Sequence, residues 1–203
     1  MNTLFLVAAL FAAMLPGADT AKLLSQVDAT RLIAGCVLKR DRAIAIEIAA
    51  NDPTAPAFAK AAKRIEPALV ACLIKADRRS LMIRVNDLRG TLAESLLKEA
   101  DGAAMARARQ LPVEPPRRIS LGKSQFANDA ALFSCVVGAD PQQAASLVEA
   151  IPESVEEGAA FRALVPALQS CVPEGAEMHL MPFQIRLLVA ASLYGRLAAF
   201  PGA

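Results

Sequence analysis

The chain has 203 residues, of which 55% are hydrophobic and only 4% aromatic, with no Trp and with Tyr194 as the one Tyr. This length allows one large domain or two small ones, and the wealth of Ala and Leu without long β-branched runs indicates an all-α protein. The formal net charge of +2 excludes a protein that is strongly acidic or strongly basic as a whole.

Residues 1–21 are predicted to be a signal peptide. An unbroken apolar run of 12 residues, Leu4 to Leu15, is followed by Pro16, Gly17 and small or polar residues. Such a run has the length of a signal peptide's hydrophobic region and is shorter than the roughly 20 residues of a membrane span. Cleavage after Ala18 or Ala21 would give a periplasmic or secreted protein. The alternative is a retained N-terminal helix that is buried or associated with a membrane.

The rest of the chain matches itself at an offset of 99 residues. All four Cys and two pairs of Pro agree in this single register, which biased composition alone does not explain. The matched pairs include Cys36 with Cys135, Cys72 with Cys171, Pro53 with Pro152, Pro67 with Pro166, Asp41 with Asp140, and Leu88 with Leu187. The pattern predicts an internal duplication: a helical module in residues 22–103, an extended linker rich in Pro and Arg in residues 104–121, and a second module in residues 122–203.

Each module is predicted to contain about four helices. Asp41 is expected to cap a short helix over residues 42–50, and Asp140, followed by Pro141, is expected to cap its counterpart. Ser154 and Glu157 have the spacing of a capping box that begins a third helix.

The third helix is expected to be kinked or divided by Pro67 in one module and by Pro166 in the other. The fourth helix is predicted over about 83–100 and again over about 182–199, with Gly90 inside the first of these allowing close contact between helices. Five apolar residues at helical spacing should face the core. They are Leu88, Leu92, Leu96, Leu187 and Ala191.

Four Cys in an exported chain predict two disulfides. If each module was once viable alone, the pairs are Cys36–Cys72 and Cys135–Cys171. Closing a loop of about 37 residues would stabilise each module by roughly 4 kcal/mol. In a cytoplasmic protein the same four residues would instead be reduced, buried thiols.

The motifs Cys-Val, Pro-Ala-Leu-x-x-Cys and Leu-Arg-Gly-x-Leu-Ala-Glu, the last at Leu88 to Glu94, resemble those of a group of uncharacterised, exported, Ala-rich proteins of alphaproteobacteria. The resemblance covers most of residues 27–199. It implies export, helical structure and paired cysteines, and it implies no activity. The second module departs from it, because Ile185 to Tyr194 replace the Leu-Arg-Gly segment.

No catalytic residue, cofactor or metal site is predicted. His179 is the only His, and nothing near it resembles a nucleophile motif, so we interpret it as a partly exposed structural residue. The carboxylates nearest to one another, Glu94 with Glu99 and Glu156 with Glu157, are expected on solvent-facing surfaces.

Charge separates the two modules. Residues 22–103 carry 14 basic and ten acidic side chains, whereas residues 122–203 carry four basic and eight acidic ones. The candidate residues for binding an anion or a partner are Lys39, Arg40, Arg42, Lys75, Arg78 and Arg79. They would suit an anionic envelope component, such as phospholipid headgroups or acidic glycans, or docking of the two modules on each other or on a second molecule. Solvated surfaces without a partner would give the same pattern.

These observations favour a non-catalytic envelope protein that binds or scaffolds through the groove between the modules or through the basic face of the first. Its partner would be an anionic component or another envelope protein. Nucleic acid is not expected as a partner of an exported protein, and no aromatics lie among the basic residues to stack on bases. The alternative is an enzyme or enzyme inhibitor, which predicts a pocket where carboxylates of both modules converge with shifted pKa values.

Overall fold

The computed structural model describes residues 18–76, 83–99, 102–176 and 180–200, with side chains from residue 28 onward. Within these ranges the protein has nine α-helices and no β-strand, which confirms the predicted all-α class. The helices are α1 (Ala18–Arg40), α2 (Arg42–Ala50), α3 (Pro56–Lys75), α4 (Val85–Leu97), α5 (Ala103–Ala108), α6 (Gln125–Ala139), α7 (Pro141–Glu149), α8 (Val155–Cys171) and α9 (Pro182–Ala199). Of the predicted signal peptide, residues 1–17 lie outside the described residues.

Side-chain caps fix where the short helices begin. The Asp41 carboxylate accepts a hydrogen bond from the Ile44 N–H at 3.1 Å, and Asp140 accepts one from the Gln143 N–H at 3.0 Å, as predicted for the starts of α2 and α7. Ser154 caps α8 through the Glu157 N–H at 3.1 Å. The Glu157 carboxylate accepts from the Glu153 N–H, one residue before the position that a capping box uses.

Pro67 and Pro166 lie inside α3 and α8, so neither proline divides its helix. The fourth helix of the first half, α4, is shorter at both ends than the predicted 83–100, whereas α9 covers the predicted 182–199.

Two disulfides join the first and third helices of each half. The structure contains Cys36–Cys72 and Cys135–Cys171, with Cα–Cα distances of 5.8 and 5.9 Å, and this confirms the predicted pairing. Disulfides persist in oxidising surroundings, so they indicate a compartment other than the cytosol. None of the helices in the described ranges combines the length and the apolar character that a membrane span requires.

The centre of the molecule is the contact between α4 of the first half and α9 of the second. A Cβ atom at Gly90 would lie 2.5 Å from the Leu187 carbonyl oxygen, so the Gly90 backbone packs directly against the backbone and Cβ of Leu187. Helices α1 and α2 pack on α4, and α6 and α7 pack on α9. One cluster of buried apolar side chains runs through both halves and includes four of the five predicted core residues. The fifth, Leu187, is buried outside this cluster.

The predicted extended linker, residues 104–121, begins with a helix. Helix α5 forms here because an Ala-rich stretch favours helix, and its apolar side chains Met105 and Ala108 are buried one turn apart. The following chain, from about Leu111 to Leu121, has no regular secondary structure, and it lies against the second half through backbone hydrogen bonds.

Candidate functional site: a basic groove beside the first disulfide

Helix α1 and the end of α3 enclose an open groove of about 510 Å³ beside the Cys36–Cys72 disulfide. Its floor is partly apolar, since Leu32 is 63% exposed there. The lining residues are Arg31, Leu32, Gly35, Cys36, Lys39, Arg40, Lys75 and Ala76. Four of these eight side chains are cationic, and none is acidic.

Three of the four cations have no acidic partner in the described part of the chain. Lys39, Arg40 and Lys75 are exposed, and no described carboxylate lies within ion-pairing distance of them. Arg31 is only loosely paired, at 3.5 Å from Asp28 and 3.7 Å from Glu94. The groove therefore presents positive charge that is not neutralised locally, and it attracts anions.

The structure divides the six predicted binding residues. Lys39, Arg40 and Lys75 meet in the groove. Arg42 does not line it. The Arg42 guanidinium instead hydrogen-bonds the Glu99 carboxylate at 2.8 Å, and this ion pair balances its positive charge and raises its pKa. Arg78 and Arg79 lie outside the described residues.

The prediction from the sequence did not include Arg31, because this residue stands alone and not in a run of basic residues. It lies eight residues before Lys39, and Gly35 lies between them. Positions separated by four residues share one face of a helix, so this spacing was the available signal.

A second cluster of charge is buried where the two halves meet. The Arg186 side chain is 1% exposed, and all five of its N–H groups donate hydrogen bonds. Its carboxylate partners are Glu94 at 2.8 Å and Glu157 at 2.7 Å. Its remaining acceptors are the backbone oxygens of Leu147, Val148 and Ala150 at the end of α7.

The expected solvent-facing position of Glu94 was therefore wrong. Its side chain is 8% exposed because α4 turns this face toward α9, and Lys98 also lies 3.3 Å away. Glu157 is 18% exposed and also faces the cluster. Burial raises the pKa of Glu94, but Arg186, Lys98 and Arg31 together outweigh burial and hold it below its ordinary value.

Arg89 is a second buried cation, and it hydrogen-bonds a backbone carbonyl at the C-terminal end of α2. Its guanidinium donates to the Asn51 carbonyl at 3.1 Å and to the Ala191 carbonyl at 3.3 Å. Burial lowers the pKa of Arg89 to about 10, and Asp52 opposes this shift, so the side chain stays charged at neutral pH. The carbonyl ends of helices favour such cations.

The sequence offered a signal for both buried arginines. Each is a charged residue whose immediate neighbours are apolar residues or glycine, in Leu88–Gly90 and in Ile185–Val189. A charged residue in an apolar stretch indicates a buried ion pair or a capped helix end.

The buried cluster meets one expectation of the enzyme hypothesis, since carboxylates of both halves converge there with a lowered pKa for Glu94. Three surface grooves of about 510 to 570 Å³ in the described ranges are lined by side chains other than those of Arg186, Glu94 and Glu157. Because every Arg186 donor is already used, this side chain joins helices and offers no free donor to a substrate.

No group of three His, Cys, Asp or Glu side chains in the described ranges is placed to hold a metal ion. His179 lies outside those ranges. Comparison of the chain with known protein families, with curated proteins and with solved structures found no match.

Proposed function

We propose that this protein is exported to the cell envelope and binds an anionic component there, without catalysis, through the groove lined by Arg31, Lys39, Arg40 and Lys75. The observation that carries the proposal is the convergence of these four cations on one open surface, three of them without a described acidic partner. Cations that serve only solubility are spread over a surface among acidic neighbours. Here they are concentrated beside a rigid disulfide.

Export is supported by the two disulfides and by the apolar run Leu4–Leu15 followed by Pro16 and Gly17. Mass spectrometry of the mature protein tests it. We expect an N-terminus near residue 19 or 22 and, without reduction, a mass four hydrogens below that of the free thiols. An intact Met1 would favour the retained N-terminal helix instead.

The internal duplication is also part of the proposal. Helices α2 and α7 each have nine residues and begin 99 positions apart, as do the two disulfides and the Asp caps. If the halves descend from one module, their opposite charges arose afterwards. The basic groove is then a feature in which the two halves have diverged.

Replacing Lys39, Arg40 and Lys75 by Ala tests the groove. The probes are phosphatidylglycerol vesicles, an acidic glycan and an acidic peptide. We expect at least one probe to bind the unmodified protein and the triple variant to bind it at least about tenfold more weakly, a loss of about 1.4 kcal/mol.

A control variant with Lys60, Lys63 and Arg162 replaced by Ala removes the same charge from exposed positions outside the groove. It should bind as the unmodified protein does. Equal weakening by both variants would show that only net charge matters, and it would overturn the proposal, as would binding of none of the probes.

A further inference from the structure

In the second half, a segment of the chain lies on the surface beside the Cys135–Cys171 disulfide. The Glu114 N–H donates to the Gly138 carbonyl at 2.8 Å, and the Ile119 N–H donates to the Cys171 carbonyl at 3.0 Å. Arg118 pairs with Glu174 at 3.2 Å. Residues 114–119 thus cross from the end of α6 to the end of α8 as an extended peptide, which we call the docked segment.

The docked segment lies along positions that correspond to residues of the basic groove. Subtracting 99 from its contacts Gly138, Cys171 and Glu174 gives Lys39, Cys72 and Lys75. Three further residues, which line a surface groove together with Pro115 and Arg117, correspond to residues of the basic groove in the same way. They are Ala131, Ser134 and Cys135, which correspond to Leu32, Gly35 and Cys36.

The groove of the first half has the same framework with the opposite charge. Glu174, which pairs with Arg118, is replaced by Lys75, and Gly138 is replaced by Lys39. The Lys39 carbonyl lies in the last turn of α1, where carbonyls have no donor within the helix, as the Gly138 carbonyl does in α6. A peptide on this surface would therefore find one similar backbone acceptor and would need acidic side chains.

We propose that the basic groove binds an extended acidic segment of a partner protein, in the manner in which residues 114–119 bind the second half. This inference rests on the proposed function and names its ligand. The Leu32 side chain and the disulfide supply apolar contacts, and the four cations supply charge complementarity. Pro115 and Pro116 in the docked segment suit such binding because proline lowers the entropy lost by an extended peptide.

The proposed partner is a different protein, because the segments of this chain that lie outside the described residues at 1–17, 77–82 and 201–203 carry no excess of acidic residues. Residues 1–17 and 201–203 contain no Asp or Glu, and residues 77–82 have one Asp and two Arg. The docked segment of a second copy would bring Arg117 and Arg118 against Lys75, and like charges repel.

Two synthetic peptides test the inference. One has the sequence of residues 110–121, and the other carries Arg117→Glu and Arg118→Glu in that sequence. We expect the oxidised full chain to bind the charge-inverted peptide at least about tenfold more tightly than the native one, measured by fluorescence anisotropy.

Lys75→Glu gives the groove the charge of Glu174, so it should remove this preference and weaken binding of the charge-inverted peptide at least about tenfold. Lys63→Glu makes the same charge change on the exposed surface of α3 outside the groove and should leave the preference in place. Circular dichroism confirms that both variants are folded.

The outcomes separate this inference from the proposed function. Equal binding of the two peptides, no binding of either, or equal effects of Lys75→Glu and Lys63→Glu overturns the inference. If neither peptide binds, but phosphatidylglycerol vesicles or the acidic glycan bind and lose that binding when Lys39, Arg40 and Lys75 are replaced, the basic groove binds an anionic ligand other than a peptide. In that outcome the proposed function stands and this inference is overturned. If no probe depends on these residues, both proposals fail.

Discussion

Arg186 hydrogen-bonds groups from both halves of the molecule. It receives the Glu94 carboxylate from α4 and the Glu157 carboxylate from α8, and it donates to three backbone carbonyls at the end of α7. The free energy needed to remove such a cation from water largely cancels the free energy gained from its ion pairs. The assembled cluster therefore adds little to the net stability of the fold. Removing one member alone is costly, because it leaves an opposite charge buried without its partner.

Glu94→Gln is expected to change how stability depends on pH. The pKa of Glu94 is lowered in the folded protein, against about 4.3 in an unfolded chain. Its ion pairs therefore stabilise the protein above that value, and the stabilisation is lost as pH falls through the folded-state pKa. We expect the variant to be less stable at pH 7 by about 3 kcal/mol, and to lose less stability than the unmodified protein between pH 5 and pH 3.

Urea unfolding at several pH values measures this difference. Burial raises the pKa of Asp87 and of Asp129, which gives the opposite slope, but both residues are present in both proteins, so their contributions cancel in the comparison. Glu66→Gln, at an exposed position, is the control and should leave the profile unchanged. Parallel profiles for Glu94→Gln and the unmodified protein would show that Glu94 is not held ionised by this cluster.

At the scale of helices, the contact of α4 with α9 sets how closely the two halves approach. A glycine is required at position 90 because the space for a Cβ atom is already filled by the Leu187 backbone and Cβ, at 2.5 to 2.8 Å. The position that corresponds to it in α9 is Val189, which is fully buried. The α4–α9 contact is therefore asymmetric, with the small residue on one helix only.

Gly90→Ala is expected to destabilise the protein by about 2 kcal/mol, because backbone atoms cannot yield without separating the helices. Gly35→Ala is the matched control, since a Cβ at Gly35 meets nothing within 4 Å in another helix. That change should instead stabilise α1 by up to about 1 kcal/mol, as Ala replaces Gly inside a helix. Denaturant unfolding of both variants measures the two effects, and a Gly90→Ala protein as stable as the unmodified one would contradict the close contact.

At the scale of the whole molecule, the halves share one set of interactions. The buried apolar cluster contains residues of both, and the Arg186 cluster crosses the boundary between them. The segment that joins the halves is held down by Arg196, which pairs with Glu114 at 2.7 Å. Neither half buries its α4 or α9 surface without the other.

We therefore expect the protein to unfold in one cooperative transition. Far-ultraviolet circular dichroism reports on all helices, and the fluorescence of Tyr194 reports on α9, so the two signals should give the same denaturant midpoint. Two separate transitions would show that the disulfide-linked halves are stable individually and that the α4–α9 contact is weak.

The sequence alone was enough for features that depend on neighbours along the chain. Asp41 and Asp140 mark the starts of α2 and α7 because a capping side chain bonds a backbone N–H only three residues away. The apolar spacing of Leu88, Leu92 and Leu96 identified a buried helix face, because helical geometry puts such positions together. The equal spacing of the cysteines identified the disulfide pairs.

Only the tertiary structure decided which charges are buried, paired or free. Glu94 and Arg186 lie 92 residues apart in sequence, and they meet because Gly90 lets α4 and α9 touch. Arg42 forms an ion pair with Glu99, whereas Lys39 and Lys75 lie in the groove without a described acidic partner. The energy of a charge depends on its distance to partners and to water, and packing of helices far apart in the chain sets both distances. Local sequence patterns therefore predicted the helices and the disulfides, and the long-range packing determined which cations meet in the groove.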